Sequence, residues 1–339
     1  MTFEFRSTRA CRAGTTIRLL GLIAFIAGLV AAFPAYAPPV AKMLRIGVLW
    51  PTTPPPPANA QLETLLKHLR ELGWQDGKTV AIDYRYGGDD ASRLTLFANE
   101  LVRLKVDVIT TTGDLSTRAV QQATTTIPIV ATVGFPVESG FVKSLSHPGG
   151  NITGFASLAD QLSAKRLDLL KELLPRLARV AVLWDPVTHE RQPKAVEMAA
   201  QTFGLQVNVL RAKSAQELEG AFAAASAWRA DAILVLASPM LVGNRATLVR
   251  LAAKHRMPAM YPSTTFTEAG GLIAYAPSAD EQGRLVASAI DKILKGAKPA
   301  EMPVQQPTTF DLDINLRVAQ EIGVKIPQSI ILRANRVIK

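Results

Sequence analysis

The sequence predicts an α/β protein of two doubly wound parallel-sheet lobes with an interlobe cleft, and three observations lead there. The stretch Arg45-Ile46-Gly47-Val48-Leu49-Trp50-Pro51 is answered 134 residues later by Arg179-Val180-Ala181-Val182-Leu183-Trp184-Asp185-Pro186. Each is a short apolar run closed by a proline, as in a strand buried on both faces of a parallel sheet. The likeness continues in order, Asp107-Val108-Ile109-Thr110 matching Asp231-Ala232-Ile233-Leu234, and Ile127-Pro128-Ile129-Val130 matching Met257-Pro258-Ala259-Met260. One matched pair is common among α/β chains, whereas three in the same order favour duplication. Strand and helix patterns also alternate throughout, which calls for parallel sheets with right-handed crossovers and helices on both faces.

In the first lobe, strands are predicted near 45–50, 79–85, 106–112 and 128–133, with helices over about 61–72, 91–104 and 116–123. Gly73, Gly113 and Gly134 fall at the breaks. The second lobe repeats the order, with strands at 179–184, 205–210, 231–236 and 258–261 and helices over about 193–203, 215–227 and 244–254. A length of 339 residues exceeds what one hydrophobic core usually serves and fits two domains. With 48% hydrophobic and 19% charged residues and no low-complexity tract, the chain reads as globular.

The amino-terminus reads as a secretory signal peptide over 1–37. Arg6, Arg9, Arg12 and Arg18 precede the apolar or small run Leu19–Phe33, and Ala35-Tyr36-Ala37 offers a small-x-small cleavage site. The run is short of the roughly 20 residues that cross a bilayer, so cleavage after Ala37 and a periplasmic location are expected. The single cysteine, Cys11, precedes the apolar run, so lipidation is not expected. Without it the mature chain has no thiol for disulfides, Cys-ligated zinc or iron–sulfur clusters. Past residue 37, 34 basic residues stand against 27 acidic ones. The excess is scattered, without the clustered Lys and Arg or interleaved aromatics of a nucleic-acid binder.

Ligands of doubly wound sheets sit beyond the carboxyl ends of the strands. Those ends supply the candidate binding residues: Trp50, then Thr112, Gly113 and Asp114, then Phe135 in the first lobe. The second lobe supplies Trp184, Asp185, Ser238 and Tyr261. Aromatic tips give contact area and a few polar groups fix orientation, as in a small-molecule cleft. Asp114 and Asp185 would suit an amine or hydroxyl, although Asp114 equally suits a helix start and Asp185, before a proline, a turn. Trp74 and Trp228 are expected to pack within the lobes. Pro54–Pro57 forms a stiff cleft rim or a solvent loop.

The chemistry search excludes more than it suggests. No G-x-G-x-x-G, G-x-x-x-x-G-K-[ST], G-x-S-x-G or H-E-x-x-H occurs, so no cofactor, metal or catalytic residue is expected. His68, His147, His189 and His255 lie far apart with no partner at metal-ligand spacing, and surface or loop roles are expected.

Several stretches together resemble one family: Leu72-Gly73-Trp74, Ile127-Pro128-Ile129-Val130, Pro148-Gly149-Gly150-Asn151-Ile152-Thr153-Gly154, Leu169-Leu170-Lys171-Glu172-Leu173-Leu174-Pro175 and Gly270-Gly271-Leu272-Ile273-Ala274-Tyr275. Phe310, Ile314-Asn315, Ala319, Gly323 and Pro327 continue the pattern. The chain resembles the periplasmic substrate-binding proteins of ABC transporters, in the group similar to tryptophan- and tyrosine-binding components. The resemblance implies a type I periplasmic-binding fold, a monomer that captures a small molecule between two lobes and presents it to a permease and its ATPase. It implies lobes of 44–154 plus 277–306 and of 155–276 plus 307–339, with crossings near Gly154, Ala276-Pro277 and Pro307 and a returning helix at Glu281–Leu294. Where the family pattern has Asp-Pro or Asn-Pro after the fourth strand, this chain has Phe135-Pro136, which trades a polar anchor for stacking area and suggests a ligand with a flat or apolar portion. An exported sensor for a membrane kinase would need the same cleft and signal. An exported hydrolase would use Asp114 or Asp185, and a repressor-type effector domain lacks its DNA-binding segment.

Overall fold

The computed structural model describes residues 1, 2, 4, 43–53, 60–88 and 90–339. The expected signal peptide, its cleavage site and Pro54–Pro57 lie outside the described residues. The chain divides into residues 1–42 and a body of residues 43–339.

In that body, β1 (Leu44–Trp50), β2 (Val80–Tyr86), β3 (Val108–Thr112), β4 (Ile129–Val133) and β5 (Ile152–Ala156) form a parallel sheet in the order β2-β1-β3-β4-β5. A second sheet contains β6 (Arg179–Trp184), β7 (Gln206–Arg211), β8 (Ala232–Val235), β9 (Ala259–Tyr261) and β10 (Ile273–Pro277), followed by β11 (Phe310–Asn315) and β12 (Arg336–Ile338). Its order is β12-β11-β10-β9-β8-β6-β7, so β7-β6-β8-β9-β10 repeats the order of the first sheet. All neighbours are parallel except β10 and β11. That antiparallel pair departs from the expected alternation because the chain leaves the sheet after β10 and re-enters from the other lobe.

The repeat seen in sequence has a physical counterpart. Asp107 accepts from the backbone N–H of Arg45 (2.7 Å), and Asp231 accepts from that of Arg179 (2.8 Å). In each lobe the aspartate before the third strand thus fixes the start of the first. The strands are apolar without alternation because both faces are covered. Ile46, Val48 and Trp50 face one core and Leu49 the other, just as Val180, Val182 and Trp184 face one core and Ala181 and Leu183 the other.

In the first lobe, α1 (Ala60–Glu71) covers one face, and α2 (Ala91–Arg103) and α3 (Asp114–Ala123) cover the other. In the second, α4 (Ala159–Leu173) and α5 (Arg191–Thr202) pack opposite α6 (Leu218–Ala227), α7 (Pro239–Gly243) and α8 (Arg245–Lys254). After the short α9 (Thr265–Glu268), α10 (Ala279–Leu294) packs along α1 on the first sheet, while α11 (Leu316–Ile322) and α12 (Gln328–Arg333) lie on the second. Trp74 donates from Nε1 to Asp291 of α10 (2.9 Å), a packing role as expected. His68 departs from expectation: it is buried on α1, its ring nitrogens 2.7 Å from Glu71 and 3.1 Å from Asp280.

The segment after α10 runs beside β5, where Gln305 N–H donates to Gly154 O and Ala156 N–H donates to Gln305 O, both at 2.8 Å. Gly154 has φ +142°, and a β-carbon there would lie 2.0 Å from Ala131 O, so only glycine permits this close strand approach. Two further connections, 277–278 and 308–310, run side by side: Pro277 pairs with Phe310, and Ser278 N–H donates to Thr309 O (3.0 Å).

Glu281, buried in the first turn of α10, clamps them. Its carboxylate accepts from both backbone N–H groups of Thr308 and Thr309 (3.0 and 2.9 Å) and from both hydroxyls. Burial alone would raise its pKa, but these hydrogen bonds outweigh it and hold the carboxyl at about 2. Because the folded value lies below the unfolded one of 4.5, the clamp contributes fully above pH 4.5 and fades as pH falls toward 2. Discounted for solvent screening, the clamp contributes on the order of 1–2 kcal/mol. Glu281→Gln is expected to lower unfolding free energy by about that much at pH 7, with a gap to wild type that narrows below pH 4.5. Urea titrations across pH test this, and a gap independent of pH would refute it.

Candidate functional site

The carboxyl ends of the two sheets meet around a cavity of about 230 Å³ lined by both lobes. At ~30 Å³ of liquid per water, it has room for roughly eight waters, the scale of one small solute.

Six of the nine candidates line it: Trp50, Thr112, Gly113, Asp114, Phe135 and Ser238. Trp50, only 6% exposed, closes the end of β1. Gly113 precedes α3 at φ +81°, a conformation suited to glycine. Asp114 begins α3, and its carboxylate accepts from Ser139 (3.1 Å). Burial pushes Asp114 up, opposed by the Ser139 hydrogen bond and by the charges of His189 and Arg118. Phe135 packs against His189 with ring centroids 4.9 Å apart, and the Arg191 guanidinium lies 5.7 Å from its ring.

Trp184, Asp185 and Tyr261 do not line the cavity. Trp184 packs in the core and donates from Nε1 to Thr188 (3.0 Å). Asp185, 3% exposed, makes the turn its following proline suggests, accepting from Val187 N–H (3.0 Å) and from the Ser238 hydroxyl (2.5 Å). Burial raises its pKa, opposed by those two hydrogen bonds. Tyr261 is 1% exposed and stacks on Phe266 at 4.5 Å. A β-carbon on Gly271 would fall 2.7 Å from the Tyr261 ring, so that glycine makes room for it. The strand-end rule locates backbone tips, but here Trp184 packs into one core, Tyr261 into the other, and Asp185 is held within its turn.

The polar lining residues that strand-end position does not single out include Arg166, His189, Gln192 and Arg245. Gln192, 2% exposed, exchanges hydrogen bonds with both backbone groups of Ala237 (3.0 and 3.1 Å) and so fixes the loop bearing Ser238. Arg166 sits on the buried stripe of α4 with Leu162, Leu169, Leu170 and Leu173. It donates from Nε to Tyr275 O (2.7 Å) and from Nη2 to Pro262 O (3.4 Å). Burial lowers it to about 9, so it remains charged at neutral pH. The signal for it was in the sequence: an arginine at a core spacing of a helix.

The lobe tips touch across the cavity mouth. A β-carbon on Gly113 would lie 2.6 Å from Pro239 Cγ, and one on Gly243 3.2 Å from Thr52 Cγ2. Arg191 at the start of α5 pairs with Glu138 in the loop after β4, and with Asp160 of its own lobe at 3.3 Å.

Residues 54–338 match the family described as ABC transporter substrate binding protein, and the chain belongs to that family. It is 26% identical over 250 residues to a tyrosine-binding protein of Clostridioides difficile (strain R20291), spanning 73% of this chain and 70% of that one. Among solved structures, it is similar to an ABC domain from Streptococcus pneumonia in complex with L-Trp, with TM-score 0.78 and 26% identity over 87% of this chain and 99% of that one. A conserved domain protein from Vibrio cholerae O1 biovar El Tor gives TM-score 0.81 and 25% identity over 87% and 100%. The fold is that of type I periplasmic binding proteins, and the chain is a solute-binding protein for a small molecule. Among the described residues no helix is long and apolar enough to cross a membrane.

Removing the Asp185 carboxylate strands a buried hydroxyl and a backbone N–H. Asp185→Ala is therefore expected to lower stability by roughly 2 kcal/mol. Denaturant melts test this, and an unchanged midpoint would show that the turn does not depend on the carboxylate.

Proposed function

We propose that this protein captures a small solute, of the size and flatness of an aromatic amino acid, and presents the closed complex to an ABC permease and its ATPase. The observation that carries this is a cavity of amino-acid scale walled by the strand ends of both lobes. The relatives that bind tyrosine and L-Trp support the size class, and Phe135 beside His189 supports a flat portion in the ligand. Trp50, Thr112, Gly113, Asp114, Phe135 and Ser238 are the proposed contacts. We place the hinges at the three connections near 154–158, 276–278 and 307–309, dividing the body into lobes of 44–154 plus 277–306 and 155–276 plus 307–339. The protein works as an exported monomer, freed of residues 1–37, and it binds without turning its ligand over.

Ligand joins the lobes by contacting both, which shifts the population toward the closed shape by its difference in affinity for the two states. The permease reads that shape. A kinase-linked sensor would use the same closure, and copurification with a permease separates the two.

A thermal-unfolding screen of residues 38–339 against amino acids, aromatic acids, sugars, polyamines and nucleosides tests the capture. Ligand at 100 times its Kd adds about 2.7 kcal/mol, which for a protein of this size raises Tm by roughly 5–10 °C. Cooperative unfolding with no shift from any class would sink the reading. Gly113→Ala sets a methyl group against Pro239 in the closed form and is expected to weaken binding of the stabilising solute at least about tenfold, a 1.4 kcal/mol effect. Equal affinity, measured calorimetrically, would show that closure does not bring these tips together.

A further inference from the structure

Among the described residues, one buried side-chain polar atom has no hydrogen-bond partner: Nη1 of Arg166. Arg166 is 1% exposed and lines the cavity. Its other two nitrogens bond to backbone carbonyls, Tyr275 O and Pro262 O, which hold the guanidinium in place without neutralising it. No carboxylate pairs with it among the described residues. Arg245, half-buried on the same cavity wall, likewise has no ion pair or hydrogen bond there. Against these two guanidinium groups the cavity lining offers a single carboxylate, Asp114, and that one already accepts from Ser139.

A buried charge without a counterion is expensive, and folded proteins pair it or place it where a ligand will. A guanidinium offers a planar fork of donors that matches a carboxylate, and charge-assisted hydrogen bonds are about twice as strong as neutral ones. Resting on the solute-capture reading above, we infer that the captured solute is a carboxylic acid and that Arg166 anchors its carboxylate through the free Nη1. Arg245 adds a second positive charge to the same cavity. The lining supplies no free carboxylate to demand an amino group, so acids lacking an amine belong to the same ligand class.

The test uses residues 38–339 and matched probes: L-tyrosine, L-tryptophan, 3-(4-hydroxyphenyl)propionate and indole-3-propionate, each with its amide, plus tyramine, tryptamine, sugars and nucleosides. Binding is read by calorimetry. At least one acid is expected to bind at least about 100-fold more tightly than its amide, since the amide leaves the guanidinium uncompensated. Arg166→Gln, checked for cooperative unfolding, is expected to erase most of that preference. An amide, amine, sugar or nucleoside that binds as tightly as any acid would overturn the anchor while leaving solute capture intact. So would an acid whose affinity is the same in wild type and in the folded Arg166→Gln protein. Because the comparison of acid with amide is made on the wild-type protein, it decides the question even if the variant does not fold. No binding by any probe would overturn capture and anchor together.

Discussion

Parallel pairing constrains this molecule more than any single contact does. A parallel strand can be followed by another only after the chain returns across a face of the sheet, so every strand of a run ends at the same edge. Here that happens twice in the same order, β2-β1-β3-β4-β5 and β7-β6-β8-β9-β10. The two edges of loop tips face each other, and the cavity is what remains between them. Trp50, Thr112, Phe135 and Ser238 come from strands and loops far apart in sequence, yet all sit at or just beyond the carboxyl end of a strand.

One exception to the regular order makes two sheets into one device. After β10 the chain does not continue its own sheet. It crosses to the first lobe as α10, packs on α1, runs beside β5 through Gln305, and returns antiparallel to β10 as β11. The helix that packs on the first sheet and the strands that complete the second are thus carried by one stretch of chain after β10. The crossing strands are held side by side by Glu281, whose hydrogen bonds join the start of α10 to Thr308 and Thr309.

How much of this was legible follows from what each signal measures. Strands β1, β3, β4, β6, β8 and β9 announce themselves as apolar runs because both faces are buried, and the repeated Asp107 and Asp231 mark the same contact in each lobe. The antiparallel β11 was not legible from pattern, since its direction depends on where α10 releases the chain. Among the candidates, position at a strand end puts Gly113 and Phe135 on the cavity wall. It does not do so for Trp184 and Tyr261, whose side chains pack in the cores, and composition does not say which way a strand's last side chain turns. Arg166 was missed for the opposite reason: it lies in a helix interior, where search by strand ends does not look, although a charge at a leucine spacing is itself a warning.

The charge and shape of the cleft belong together. The family pattern expects an aspartate or asparagine where this chain has Phe135, and a carboxylate there would have stood in the same cavity as Arg166. With phenylalanine in that place, ring area against His189 stands where the resemblance implies a polar group, and the cavity lining keeps Asp114 as its one carboxylate beside Arg166. Arg166 is positioned by two carbonyls from different parts of the second lobe, so the guanidinium does not have to be ordered when a partner arrives. A group fixed in advance loses little entropy on binding and keeps its preference sharp. A flat apolar flank and a preset cation thus select together for a solute that is planar at one end and anionic at the other.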